Sequence, residues 1–388
     1  MIPVVRYVRR IVLPAVVVVL AAMAPALIYR STQPVAASAT GTAPRMEARP
    51  RMGAASRTAV ADGIPYGRWI DLAPLPSPRD RPAVAMGRDG NIYAFGGFDN
   101  LNGYNVYNTT YIYHPALNRW TRGADIAVAR EGAQAVALPD GRLVVLGGSP
   151  GCPNSSDARL CYSTNRVDVY DPRANAWATL APLRTPRYRF NAVWHRGRIY
   201  AMGGLDGIQP LSSVEAYEPR ANAWHPVAGL PRPTMAAAAV VDASGRMYLM
   251  GGAPGGFPLY DTLSVYDGAA WTPGAAMPWA TQDYAAAYGA DGKIYAFGGW
   301  NGDDLTAVQV YDPRTGSWSL GTPLPSPLCC MGAAATPDGL IYAVGGDTTN
   351  GRRLLAYRLE DESVVAHAGL PALTARPSLV RRGIPTAG

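Results

Sequence analysis

A pair of adjacent glycines that ends an apolar run recurs six times in this chain: Gly96-Gly97, Gly147-Gly148, Gly203-Gly204, Gly251-Gly252, Gly298-Gly299 and Gly345-Gly346. The pairs are 51, 56, 48, 47 and 47 residues apart. A tryptophan (Trp69, Trp120, Trp177, Trp224, Trp271, Trp318) precedes each first glycine by 27, 27, 26, 27, 27 and 27 residues. A period of this length marks stacked supersecondary units and overrides a division of 388 residues into two or three ordinary domains. Gly and Pro, 42 and 35 of the residues, exclude long helices, because each costs about 1 or about 3 kcal/mol inside one.

Each unit reads as four short strands. A small-residue strand comes first, as at Ala83 to Met86, followed by an Asp-Gly turn such as Asp89-Gly90, Asp140-Gly141 or Asp291-Gly292. Asp-Gly suits a two-residue hairpin because both central positions need positive φ. An apolar strand (Ile92-Tyr93-Ala94-Phe95) then runs into the glycine pair. A third strand ends in Tyr113, Tyr170, Tyr217, Tyr266, Tyr311 or Tyr357, and the Trp strand is fourth. Such a unit cannot bury its faces alone, and antiparallel units set radially, as a β-propeller, protect one another's edges. The expected fold is all-β, with six blades over residues 66–366 and a tail or spare strand at 367–388. The Trp69 strand is expected to complete the sixth sheet. Residues 363–366 are the alternative for that place.

The combination of Asp-Gly, Ile-Tyr-Ala-Phe-Gly-Gly and Val-Tyr-Asp-Pro-x-x-x-x-Trp resembles the kelch repeat over residues 69–366. The resemblance implies a ligand face made by the loops after the glycine pairs and by those leading into the innermost strands. It carries over Arg79, Arg130 and Arg187, which open three consecutive inner strands, with Glu131, Tyr188 and Gln282 in the next register. Asp99, Asp206, Trp300 and Asn301 follow the glycine pairs. This mixed rim of guanidinium, acid and aromatic groups suits a protein, peptide or glycan, since guanidinium groups pair carboxylates and aromatic rings stack. The expected function is a non-enzymatic binding module with no cofactor, no metal and no catalytic residue. The alternative is a carbohydrate-active enzyme resembling the sialic acid epimerases, with Glu131 beside Arg130 at the propeller mouth. A copper-oxidase-like site is disfavoured because His114, His195, His225 and His367 do not share a repeat register.

The net charge is +7, with Lys293 the one lysine, and eight arginines fall between positions 6 and 57. The repeat region is therefore near neutral, which argues against a nucleic-acid partner. Arg6, Arg9 and Arg10 precede an apolar run at residues 11–28. Two readings of residues 1–30 stand: a signal peptide cut near Ala37-Ser38-Ala39, or an uncleaved anchor. Both direct the repeats out of the cytoplasm, secreted or membrane-anchored through this segment alone, with residues 31–65 as a flexible linker. Cys152 and Cys161 share one loop and are expected to form a disulfide. Cys329 and Cys330 are adjacent, at a Cα spacing of about 3.8 Å, which would strain a bond between them.

Overall fold

A computed structural model describes residues 67–101, 103–151, 162–337, 339–346 and 351–359. The apolar leader, the linker, Cys152, Cys161, residues 363–366 and the tail lie outside these. Among the described residues no helix is long and apolar enough to cross a membrane.

Six four-stranded antiparallel sheets form a propeller. Blade 1 comprises Ala83–Met86, Ile92–Phe95, Thr110–His114 and Arg119–Gly123. The inner strands of blades 2 to 6 are Gln134–Ala137, Asn191–His195, Ala238–Val241, Ala285–Tyr288 and Gly332–Ala335. Each packs beside the next around one axis, and the last returns to the first. Blade 6 takes its outer strand from the start of the repeat region: Arg68–Asp71 pairs with Leu354–Arg358, placing Trp69 opposite Tyr357. Closure by Trp69 is thus as expected, and the outer place in that sheet is filled.

The blades have no private cores. Each of the six main apolar clusters draws on two neighbouring blades, as where Val136, Val144 and Val169 meet Ile199, Tyr217 and Trp224. Blade 6 contributes to two of them, one with blade 5 and one with blade 1. The four-strand unit therefore gains its burial only from its neighbours, as a repeat architecture requires.

Two closed rings of hydrogen bonds and an outer series that skips blade 4 stitch the blades together. At mid-radius, the second glycine of each pair donates its N–H to the next blade's entry. Gly97 donates to Arg130 O, Gly148 to Arg187 O, Gly204 to Thr234 O, Gly252 to Thr281 O, Gly299 to Leu328 O and Gly346 to Arg79 O, all at 2.8–3.0 Å. The first glycine lies under the same carbonyl, so close that a Cβ on Gly251 would stand 2.7 Å from Thr281 O. On the outside, Trp120, Trp177, Trp224, Trp318 and Trp69 donate Nε1–H to a carbonyl leaving the preceding blade, at 2.8–3.0 Å. At the axis, Arg81, Gly132, Arg189, Ala236, Asp283 and Cys330 each donate N–H to the carbonyl of the residue before it in that series, with Cys330 O closing the circle onto Arg81 N–H. All six have positive φ, between 46° and 62°.

The glycine joint predicts a contrast within blade 4. Gly245 also has positive φ but the nearest atom to its Cβ position is the flexible Arg196 side chain at 3.9 Å. Gly245→Ala is expected to lose about 1–2 kcal/mol, the left-handed penalty alone. Gly251→Ala bears that penalty plus a collision with a backbone carbonyl, so its urea midpoint should fall well below that of Gly245→Ala.

Candidate functional site

The rim expected from sequence divides into two groups. Arg79, Arg130 and Arg187 do not reach it: each is at most 1% exposed. Arg130 pairs with Asp168 and donates to Gly147 O and Arg166 O. Arg187 donates to Gly203 O and Ser213 O and pairs with Glu215 at 2.6 Å. Arg79 lies 3.6 Å from the centre of the Tyr107 ring and donates to Thr109 Oγ1. Burial pulls down the pKa of all three. These guanidinium groups hold the inner part of the sheet to its third strand, so their expected place on an open rim is corrected. A partner accompanies each cation: Asp168, Glu215 and, in blade 1, Tyr111 at the same strand position. Where the arginine becomes Thr281 the partner position holds neutral Gln309.

Asp99 also turns inward. It accepts from Tyr107 OH, Asn105 Nδ2 and Leu101 N–H, closing its own loop, and these bonds, with Arg79 nearby, hold its pKa down against burial. Asp206 is exposed and caps its turn through Ile208 N–H and Gln209 N–H. Asn301 is exposed at a loop tip. Among the described residues no group of three or more His, Cys, Asp or Glu side chains is placed to hold a metal ion.

Gln282 and Trp300 do stand at the mouth, whereas Glu131 and Tyr188, each 1% exposed, are as buried as the arginines, so their expected place on an open rim is corrected too. The structure surrounds these four with residues that the sequence reading passed over. The axial ring projects Arg81, Arg189, Asp283 and Cys330 from blades 1, 3, 5 and 6 around a cavity of about 200 Å³. Arg189 pairs with Asp283. Arg81 stands 3.5 Å from Asp283, 3.8 Å from Glu131 and 5.3 Å from the Phe98 ring centre. Tyr104 OH donates to Glu131 Oε1 at 3.0 Å. Burial raises the pKa of Glu131, opposed by Arg81, Arg189 and Tyr104. Burial also works against ionised Asp283, yet Arg189 and Arg81 bring its pKa below the usual carboxylate value. Burial works against the Arg81 charge too, and Cys330, Asp283 and Glu131 more than offset it.

Beside this charged hub runs a groove of about 590 Å³ between the loops of blades 3, 4 and 5. Leu205, Ile208, Met235, Phe257, Leu259 and Trp300 give it apolar walls, with Arg189 and Gln282 at its polar end. The Phe257 and Trp300 ring centres are 5.4 Å apart. The sequence signal for the missed hub was a register two residues beyond Arg79, Arg130 and Arg187, where Gly132 marks the need for positive φ.

Geometrically this is a six-bladed β-propeller with a polar hub and an apolar groove at one mouth. Residues 81–126, 186–231 and 285–325 match the Kelch motif. An F-box/kelch-repeat protein of Arabidopsis thaliana is 33% identical over 134 residues, 34% of this chain and 33% of that protein. Kelch-like protein 25 of Homo sapiens is 36% identical over 185 residues, 47% of this chain and 30% of that protein. The chain spans about a third or less of the length of such curated relatives. The solved structure of YjhT superposes with a TM-score of 0.62 at 17% identity, covering 75% of this chain and 98% of that one, a likeness of fold. The chain is a kelch-repeat protein.

Arg187→Ala tests the corrected role of the inner arginines. It leaves Glu215 buried without its cation, so unfolding stability should drop by about 3–5 kcal/mol. Denaturant titration measures this, and an arginine serving only a ligand would leave the midpoint in place.

Proposed function

We propose that this protein is an exported, non-enzymatic interaction module that holds a protein or peptide partner on the mouth face of its propeller. The observation that carries the reading is where its exposed apolar side chains fall. Among the described residues, Leu101, Tyr104, Tyr162, Ile208 and Phe257 are exposed and all lie on loops that follow glycine pairs. Leu117 and Leu320 are the exposed large apolar side chains elsewhere. Apolar side chains gathered on one face of a soluble domain mark a contact surface. The adjoining hub supplies fixed charges of both signs, which set orientation and partner choice.

Immobilised wild-type propeller should retain a partner from the organism's extracytoplasmic fraction. The Ile208→Ser/Phe257→Ser double variant should lose it, while Leu320→Ser keeps it. Equal retention by all three proteins defeats the reading. A carbohydrate-active mouth is the second reading, favoured by Glu131, whose raised pKa beside Tyr104 and Arg81 suits proton transfer. It predicts instead that added sugars interconvert and that Glu131→Gln stops them.

Export rests on the arginine cluster at Arg6, Arg9 and Arg10 ahead of the apolar run at residues 11–28. A reporter fused after residue 65 should be active only outside the cytoplasm. A reporter active in the cytoplasm refutes export.

A further inference from the structure

We propose that Cys329 and Cys330 form a thiol–disulfide exchange site at the propeller axis, where Cys330 attacks a low-molecular-weight disulfide and Cys329 closes a reversible vicinal disulfide. This stands apart from partner binding and rests on the geometry of the axial ring.

Neighbouring side chains in an extended strand point to opposite faces. Here both cysteines are free thiols, yet their sulfurs lie 2.7 Å apart. The cause is the left-handed backbone at Cys330, with φ of 62°. That conformation is imposed by the propeller: the equivalent residue of every blade shares it. Cys330 N–H donates to Asp283 O and Cys330 O accepts from Arg81 N–H, both at 2.7 Å. The chain on either side is thus clamped, and the sulfurs meet without any movement of the blades.

The two thiols are unlike. Cys330 lines the axial cavity and is half-buried, whereas Cys329 is buried. The Arg81 guanidinium lines the same cavity as Cys330 and is the cation that an attacking sulfur anion would meet there. The Cys329 thiol is pushed up, first by its contact with Cys330 and then by burial, with Asp283 and Asp304 adding to it. Once Cys330 is engaged in a mixed disulfide, the largest of these effects is gone.

The exchange balances without another oxidant. The Cys330 thiolate bonds to one sulfur of the small disulfide, and the other half leaves as a thiolate that takes up a proton. The Cys329 thiolate, its proton lost to water, then attacks Cys330 Sγ and expels the second half. Two cysteine thiols become one disulfide while the small disulfide is reduced to two thiols. Adjacent Cα atoms lie closer than an unstrained disulfide prefers, so excess thiol reverses the reaction.

The test treats the folded protein with hydroxyethyl disulfide, alkylates remaining thiols in acid and digests with trypsin. Cys329 and Cys330 share the peptide spanning residues 315–352, free of Cys152 and Cys161. Wild type should yield that peptide lighter by two hydrogen atoms and unalkylated, and excess dithiothreitol should restore both thiols. Cys329→Ser should stop with the small thiol attached to Cys330. Cys330→Ser should leave Cys329 reacting roughly tenfold more slowly or worse. The proposal fails if wild type keeps both thiols or stably carries the small thiol. It also fails if Cys329 reacts first. Wild type alone decides closure, even where a variant does not fold.

Discussion

The approach of one blade's backbone to the next, at the glycine pairs, is the constraint on which the propeller depends. The first glycine has to admit a carbonyl at a distance no Cβ tolerates, and the second turns its N–H onto that same carbonyl. Every apolar cluster of the core lies between two blades, so this spacing sets how well all of them pack. A joint wider by one methyl group would open the valine, leucine and tyrosine contacts behind it, and close-packed interiors do not absorb such gaps cheaply.

The axial ring follows from the same geometry and explains why chemistry gathers there. Six residues are driven into the left-handed region by hydrogen bonds from blade to blade, and five of them are not glycine. Each such residue costs about 1–2 kcal/mol on its own, and the closed ring offsets that cost by satisfying both polar backbone groups at each position. Because the backbone is fixed by the ring, the side chain is free to vary. The chain uses that freedom to set Arg81, Arg189, Asp283 and Cys330 around one opening. Strained positions held by surrounding structure are common where function is found.

Charge is divided between two depths. Inside the blades, Arg130 and Arg187 are each matched to a carboxylate and to backbone carbonyls, which makes them structural. At the mouth, Arg81 stands beyond direct hydrogen-bond contact with Glu131 and close to an aromatic ring. The difference is two residues in sequence, and it separates a cation spent on the sheet from one facing the cavity.

Blade number, strand order and the closing role of Trp69 were all legible in the chain, because hydrophobic period, Asp-Gly turns and glycine spacing are local signals that repeat six times. The placing of Gln282 and Trp300 beside the groove was legible too, whereas the burial of Glu131 and Tyr188 was not. Which charged residues look into the mouth was not. Arg79, Arg130 and Arg187 carry the same side chain as Arg81 and Arg189, and their burial depends on Asp168, Glu215 and Tyr111, dozens of residues further on. The left-handed backbone at Arg81, Asp283 and Cys330 comes from hydrogen bonds to another blade, which no local pattern encodes. Sequence thus determined the repeating unit, and only the closed ring of blades decided which side chains meet at its axis.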